Sequence, residues 1–381
     1  MKILHVYKDY YPPVVGGIEK HIAQLCNHFK RKHDVTVLVC NRGPFTRIEN
    51  VDGVTVIKVG QAGRLQSAPL PPSFPLWLRR IKADILHFHA PNPTCEFSYL
   101  LAGSPGTMVV TYHSDIIRQE LLLKFYRPFL RRFLSRATLI LPTSPIYADT
   151  SPYLREVRDK CRIVPLGVDT RMAESAGSRL RSEIDRLHNI FGPEFILFVG
   201  KLRYYKGLQF LIEAMPKVNV PLVVVGSGPM ENDLKALTAN YGVAEKTHFL
   251  GELTEDDLWV FYHACSLLVL PSVYRSEAYG LVQLEAHACA KPVVSTRLGT
   301  GVEFVNLDGK TGFVVPPADS SALARAINDL LDDSARRERM GQFAQKRARK
   351  EFDTKVMFEK VEAVYEEAMA GQKKAKSERR R

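Results

Sequence analysis

The sequence predicts an α/β protein built from two doubly wound domains, each a parallel sheet with helices on both faces, facing one another across a cleft. Three observations predict it. Near-continuous apolar runs of strand length alternate with helix-length segments from end to end, the pattern of strands buried on both faces. The alternation pauses once, in a polar stretch, and then begins afresh. At 381 residues the chain is also long for one core and suits two.

The first series of strand-like runs covers 3–7, 35–40, 54–59, 85–89, 108–112, 139–141 and 162–164. Helical patterns fall between most of them, so residues 1–169 form one domain. Residues 170–190 are rich in Arg, Ser and Glu without a strand signal, and are expected to be the linker. The second series covers 195–199, 222–225, 247–250, 267–270, 293–295 and 312–315, which places a second domain at 191–352. Beyond Pro317 the pattern is wholly helical, ending in a helix at 353–371. Residues 372–381 carry no apolar side chain larger than that of Ala375 and are expected to be a disordered basic tail.

Composition narrows the function. No run of about 20 apolar residues exists to span a bilayer, and the N-terminal segment reads as a strand instead of a signal peptide. Six cysteines show neither a C-x-x-C pair nor zinc spacing, so reduced thiols in a cytoplasmic protein and no metal site are expected. The net charge of +12 is uneven: +10 in residues 1–170, −3 in 171–370 and +5 in the last eleven. A basic half-molecule seeks an anionic partner, a phospholipid surface or nucleic acid.

Doubly wound sheets bind ligands at the carboxyl ends of their strands, so the loops after strands carry the functional reading. The first loop, 8–20, ends in Gly16-Gly17 and opens a helix. Such a pair lets backbone N–H groups approach an anion or a sugar, but it is not the G-x-G-x-x-G fingerprint of nicotinamide or flavin sites. His113 ends the strand at 108–112, placed to donate a hydrogen bond into the cleft; His87 and His89 alternate along a strand and read as mostly structural. Lys201, Arg203 and Lys206 crowd the loop after 195–199. Cations beside a positive helix N-terminus call for an anion among them, and a diphosphate leaving group is the natural occupant. Gly226 and Leu253 sit in loops that can present backbone to a nucleobase.

The most informative feature is SEAYGLVQLE at 276–285. Glu277 precedes a helix and Glu285 lies inside it. Backbone N–H groups of Ala278, Tyr279, Gly280 and Leu281 suit a phosphate, while the two carboxylates suit hydroxyls. A sugar joined to a ribose through a diphosphate has all of these groups.

Taken in order, these segments resemble the retaining nucleotide-sugar glycosyltransferases of family 4, which have the GT-B fold of two Rossmann-like domains. The resemblance covers nearly the whole chain. It implies that Glu277 contacts the donor sugar's hydroxyls, Glu285 the ribose hydroxyls and Lys206 the diphosphate. It places His113 near the sugar's 6-hydroxyl, Gly16 and Gly17 near the phosphates and acceptor, and Leu253 at the base. The family usually has arginine where this chain has Lys201, so either Lys201 or Arg203 stands as the diphosphate ligand there. The final helix would cross back to the N-terminal domain. No carboxylate stands out as a nucleophile and no D-x-D motif is present. The resemblance therefore implies front-face attack, with the departing diphosphate as base, the loop cations in place of a metal, and no cofactor.

Residues 116–136 interleave Lys124, Arg127, Arg131, Arg132 and Arg136 with Leu122, Phe125, Phe129, Phe133 and Leu134. That spacing suits an interfacial helix on anionic lipid, kinked or split at Pro128. The expected protein is a peripheral enzyme on the inner membrane face, with a lipid-linked saccharide as acceptor and no nucleic acid partner. GDP-mannose is the first donor expected, by a loose resemblance to O-antigen and exopolysaccharide enzymes. UDP-glucose, UDP-N-acetylglucosamine and a deoxysugar donor stay open, as does a non-catalytic basic protein that binds membrane or nucleic acid.

Overall fold

The computed structural model describes residues 1–378 apart from 13, 15, 66, 67 and 117–119, and leaves aside the side chains of 65, 120–124, 178 and 373–378. The chain forms two compact units, Met1–Val164 with Met357–Arg381, and Pro165–Val356.

The first unit contains β1 (Lys2–Val6), β2 (Asp34–Cys40), β3 (Arg47–Val51), β4 (Val54–Val59), the short pair β5 (Arg64–Leu65) and β6 (Ala68–Pro69), β7 (Ile85–Ala90), β8 (Thr107–Tyr112) and β9 (Leu139–Pro142). Its helices are α1 (Gly17–Phe29), α2 (Phe74–Arg80), α3 (Pro93–Ala102), α4 (Glu120–Arg136) and α5 (Pro145–Thr150). The main sheet has the order β3-β4-β2-β1-β7-β8-β9, parallel except for β3. Strands β7 and β8 are buried along their whole length, which is why they read as unbroken apolar runs.

Two expectations fail here. β3 carries a polar, half-exposed alternation and joins β4 through Asp52 and Gly53, both at positive φ. Asp-Gly is a hairpin turn signal, and the hairpin needs no apolar run because it lies at the sheet's edge. Conversely, 162–164 is not a strand: Arg162 and Val164 donate to Ile140 and Pro142, but only an isolated bridge forms, at Cys161. Pro142 lacks an N–H to return, and Pro165 ends the pairing.

The second unit contains α6 (Thr170–Arg179), α7 (Arg181–Phe191), β10 (Ile196–Val199), α8 (Leu208–Ala214), β11 (Leu222–Val225), α9 (Glu231–Asn240), β12 (Thr247–Phe249), α10 (Glu255–Ala264), β13 (Leu267–Leu270), α11 (Leu281–Ala288), β14 (Val293–Thr296), α12 (Gly301–Val305), β15 (Gly312–Val315), α13 (Ser320–Asp332) and α14 (Ser334–Glu351). Its sheet is parallel with the order β12-β11-β10-β13-β14-β15. One core lies on each face, the first around Leu197, Leu268 and Leu284, the second around Phe198, Leu211 and Ile327.

The expected linker at 170–190 is instead helices α6 and α7 of this unit. Ala173 and Ala176 are fully buried, with Met172, Leu180, Ile184 and Leu187 packed beside them. This helical stripe is diluted by Arg, Ser and Glu, so composition conceals it. The last helix, α15 (Thr354–Glu378), belongs to the first unit from Met357 onward and is anchored there by Tyr365, whose hydroxyl bonds to His87 Nδ1 at 2.6 Å. It also runs through 372–378, where disorder was expected; Lys, Ala, Gln and Glu are good helix formers and extend a helix already seated. Residues 379–381 lie outside the described residues.

α4 is one helix with Pro128 inside it, not split. Leu130, Phe133 and Leu134 are buried, while Phe125, Phe129, Arg127, Arg131, Arg132 and Arg136 are exposed. The side chains of Leu122 and Lys124 lie outside the described ones. Glu96 of α3 is buried and ties the two helices: its Oε1 accepts the Asn92 N–H at 2.7 Å and its Oε2 accepts the Tyr126 hydroxyl.

Burial pushes the Glu96 carboxyl up from 4.5 to about 7, against the Asn92 and Tyr126 hydrogen bonds that favour its charge. Between those values the folded state holds a proton that the unfolded state has lost, so stability falls as pH rises through the window. The cost reaches roughly 3 kcal/mol above it. Glu96→Gln should flatten that slope and unfold at higher urea at about pH 8. An unchanged slope would mean that Glu96 is not the group responsible.

Candidate active site

In the second unit the strand order reverses between β10 and β13, and a doubly wound sheet takes its ligand in the crevice beyond such strand ends. Two loops meet there. The loop after β10 carries Lys201, Arg203 and Lys206 and ends at Gly207, which adopts φ +71°. A Cβ on Gly207 would stand 1.9 Å from the Pro271 carbonyl oxygen, so only glycine lets this loop rest on the one after β13. The second loop opens α11 at Gly280, also at φ +71°.

That approach makes Lys206 and Glu277 partners: Lys206 Nζ lies 2.5 Å from Glu277 Oε2, with side-chain exposures of 13% and 10%. Ser272 Oγ donates to the same oxygen at 3.0 Å, and Thr300 Oγ1 donates to the Glu277 carbonyl at 2.9 Å. Burial opposes the Lys206 charge, but the neighbouring Glu277, with Tyr205, outweighs it and raises the ammonium's pKa. An ammonium has three donors and a carboxylate about four acceptor positions. The pair therefore keeps capacity for phosphate oxygens at one end and hydroxyls at the other.

The remaining expected residues of this unit lie on its loops and on α11. Lys201 and Arg203 are exposed. Tyr279 is buried and its hydroxyl donates to the Leu166 carbonyl at 3.3 Å, so what it offers a ligand is backbone. Ala278 precedes it, with its carbonyl accepting from Gly301 at 2.8 Å, and Leu281 begins α11. Glu285 is half-buried on α11, one carboxylate oxygen accepting from the Tyr262 hydroxyl. Leu253 is half-buried near the end of β12. Gly226 serves packing: its N–H donates to the Gly251 carbonyl at 2.7 Å, and a Cβ there would stand 2.1 Å from the Gly200 carbonyl oxygen.

Sequence reasoning missed the support beneath Glu277. Glu303 Oε2 accepts from the backbone of Leu298, Gly299 and Thr300 at 3.0, 2.6 and 3.2 Å, and Arg275 Nη1 donates to the Gly299 carbonyl at 2.7 Å. The signal was present: Thr300 and Glu303 have the spacing of a capping box.

In the first unit Gly16 and Gly17 open α1, and the buried Glu19 folds across them, so a Cβ on Gly16 would meet Glu19 Oε2 at 2.2 Å. His113, at the end of β8, is 5% exposed and its Nε2 bonds to His89 Nδ1 at 3.1 Å. His89 is thus more than a filler of the strand. Two histidine triples, His5 with His87 and His89, and His21 with His89 and His113, bring ring nitrogens within 4.8 Å of one another.

Comparison with known proteins identifies the family. Residues 15–172 match the family described as Glycosyltransferase Family 4, and residues 181–347 match Glycosyl transferases group 1. The chain is 37% identical over 356 residues to D-rhamnosyltransferase WbpZ of Pseudomonas aeruginosa, covering 92% of each. It is 34% identical over 372 residues to O-antigen chain mannosyltransferase C of Escherichia coli, covering 96% of this chain and 98% of the other. Among solved structures, sucrose-phosphate synthase from Thermosynechococcus elongatus superposes with a TM-score of 0.80 at 22% identity, over 97% of this chain and 99% of that one. Anabaena HepE in complex with UDP-glucose gives 0.74 at 20% identity, over 96% and 100%. The fold is therefore GT-B, with two Rossmann-like lobes, and the protein is a nucleotide-sugar-dependent glycosyltransferase. It belongs to glycosyltransferase family 4.

Removing one partner of a buried ion pair strands the other. Lys206→Met should cost about 3–5 kcal/mol in urea unfolding, and adding Glu277→Gln should recover most of it. Additive losses in that double-mutant cycle would show that the two charges do not interact.

Proposed function

We propose that the protein is a retaining transferase moving a mannose-configured hexose from GDP-mannose, or its 6-deoxy counterpart, to a lipid-linked saccharide during cell-surface polysaccharide synthesis. The Lys206–Glu277 pair at the strand-order reversal carries this reading. Lys206, with Lys201 and Arg203, takes the diphosphate and the negative charge that builds on it as the sugar leaves. The N-terminus of α11, through Ala278, Tyr279, Gly280 and Leu281, adds backbone N–H groups. Glu277 accepts from the sugar hydroxyls, Glu285 from the ribose, and the Leu253 backbone meets the base. His113 faces the sugar near carbon 6. Gly16 and Gly17 face the acceptor, since Glu19 beside them disfavours a second anion there.

The acceptor hydroxyl then attacks the anomeric carbon from the face the diphosphate leaves, passing its proton to a departing phosphate oxygen. The loop cations do the work of a metal in this scheme. The names of the two relatives at 37% and 34% identity support a mannose-configured sugar. They differ in whether the sugar carries a 6-hydroxyl, and His113 is the residue that would sense it.

The donor is tested by thermal shift and donor hydrolysis in EDTA, with GDP-mannose, GDP-rhamnose, UDP-glucose and UDP-N-acetylglucosamine. Stabilisation and cleavage by a GDP-sugar are expected, with cleavage falling at least about 100-fold in Glu277→Ala. A preference for a UDP-sugar would overturn the donor, and cleavage that stops in EDTA would overturn the metal-free chemistry.

Anionic membrane as the site of the acceptor is supported by α4, which exposes Phe125, Phe129 and four arginines, beside Phe97 and Leu101 of α3. No helix among the described residues is long and apolar enough to cross a membrane, so contact would be interfacial. The protein should co-sediment with phosphatidylglycerol vesicles at low salt and not with phosphatidylcholine. Phe125→Ser with Phe129→Ser should weaken this about tenfold. Equal binding to both vesicles would remove the electrostatic part of the reading.

A further inference from the structure

Five of the chain's eleven histidines, His5, His21, His87, His89 and His113, are buried together in the first unit. They come from neighbouring elements: His5 pairs with His87 across β1 and β7, His113 follows β8 and His21 lies on α1. Burial holds all of them neutral, pushing His5 down to about 3 and His21 to about 4, and the other three well below the usual imidazole range.

His87 is accounted for: its nitrogens bond to Thr111 Oγ1 at 2.7 Å and Tyr365 Oη at 2.6 Å. His21 stands edge-on to His89 and His113, and neither of its ring nitrogens has a partner. The other three form a line. His5 Nδ1 meets His89 Nε2 at 3.1 Å, and His89 Nδ1 meets His113 Nε2 at 3.1 Å.

A neutral imidazole has one N–H and one bare nitrogen, so this line admits only two proton patterns. In one, His5 donates to His89 and His89 to His113, leaving His5 Nε2 bare and His113 Nδ1 protonated. In the other every hydrogen bond reverses, leaving an N–H on His5 Nε2 and a bare Nδ1 on His113. The ends decide between them. His5 Nε2 is buried with no partner, and a buried orphan N–H is the rarer state in folded proteins. Among the described residues no hydrogen bond is made to His113 Nδ1, and the residue is 5% exposed just past the end of β8, so that end sets no opposing preference.

We propose that His5 and His89 are positioning residues that hold His113 as its Nδ1–H tautomer, presenting a hydrogen-bond donor to a ligand oxygen. So held, His113 cannot take a proton from the acceptor and serves to orient a sugar oxygen. That role rests on the donor-binding reading above; the tautomer itself does not.

The test is long-range ¹H–¹⁵N NMR on histidine-labelled full-length protein, with kinetics of two variants beside it. The expected result is His113 protonated at Nδ1 and bare at Nε2; the opposite assignment overturns the relay even in an active transferase. His89→Asn keeps a donor near the place of Nδ1, whereas His89→Phe fills the space without one. With both variants folded by circular dichroism, His89→Phe should lose about tenfold in kcat/KM and His89→Asn much less. Equal losses, or uptake of one equivalent of Zn²⁺ abolished by His21→Ala, would overturn it, since packing or a metal would then explain the cluster. A protein that cleaves no nucleotide-sugar yet shows the expected tautomer would confirm the relay and remove the donor-binding reading instead.

Discussion

Lys206 and Glu277 lie 71 positions apart and meet only because two loops from adjacent parallel strands are pressed together. That contact is the constraint on which the second unit's site depends. It begins in topology: β10 and β13 are neighbours because the strand order reverses there, and their loops leave the sheet on the same side. It ends in one residue without a side chain, since the Gly207 backbone lies against the Pro271 carbonyl. The Glu303 carboxylate gathers the next loop's N–H groups, and Thr300 passes that order on to the Glu277 backbone. A charge pair with little solvent around it interacts more strongly than one in water, provided its surroundings do not let it drift.

The first unit applies the same topology with different chemistry. Its order reverses between β1 and β7, and what lies behind those strand ends is a stack of neutral imidazoles in place of an ion pair. Neutral groups suit contact with sugar hydroxyls, where a fixed charge would demand a counter-ion. Under the proposed function this would divide the labour, the charged lobe taking the diphosphate and the neutral lobe orienting uncharged oxygens.

How much of this was legible depends on the range of the interaction. Strands buried on both faces announce themselves locally, so the six runs of the second domain lie where β10 to β15 lie, within a residue or so at their ends. Edge elements do not, because β3 needs only a turn and a partner. Helices α6 and α7 hide for a related reason: a few apolar positions, two of them alanine, suffice to seat them, and the intervening charges dominate the composition. At the site, the residue types around Glu277 were legible because the motif is contiguous. The ion pair, the Glu303 support and the histidine line were not, since each is a meeting of residues distant in sequence. His89 shows the limit: alternation along a strand says which face it occupies and nothing of the imidazoles that adjacent strands place beside it.

Both units break the same rule in the same place. A fold of this kind is held by Val, Ile and Leu on its strands, and nothing in its packing requires a buried lysine, a buried glutamate or three linked histidines at the strand ends. Burying such groups costs free energy that apolar residues of similar size would not, and the orphan nitrogens of His5 and His21 add to that cost. Local choices that oppose stability mark the positions where structure serves another demand. Here they fall at the carboxyl ends of the strands, beside the two order reversals, where the topology alone already directs a ligand. Energetics and topology are independent arguments, and they agree on Lys206 and Glu277 in one unit and on His113 in the other, which is the physical reason to test those residues first.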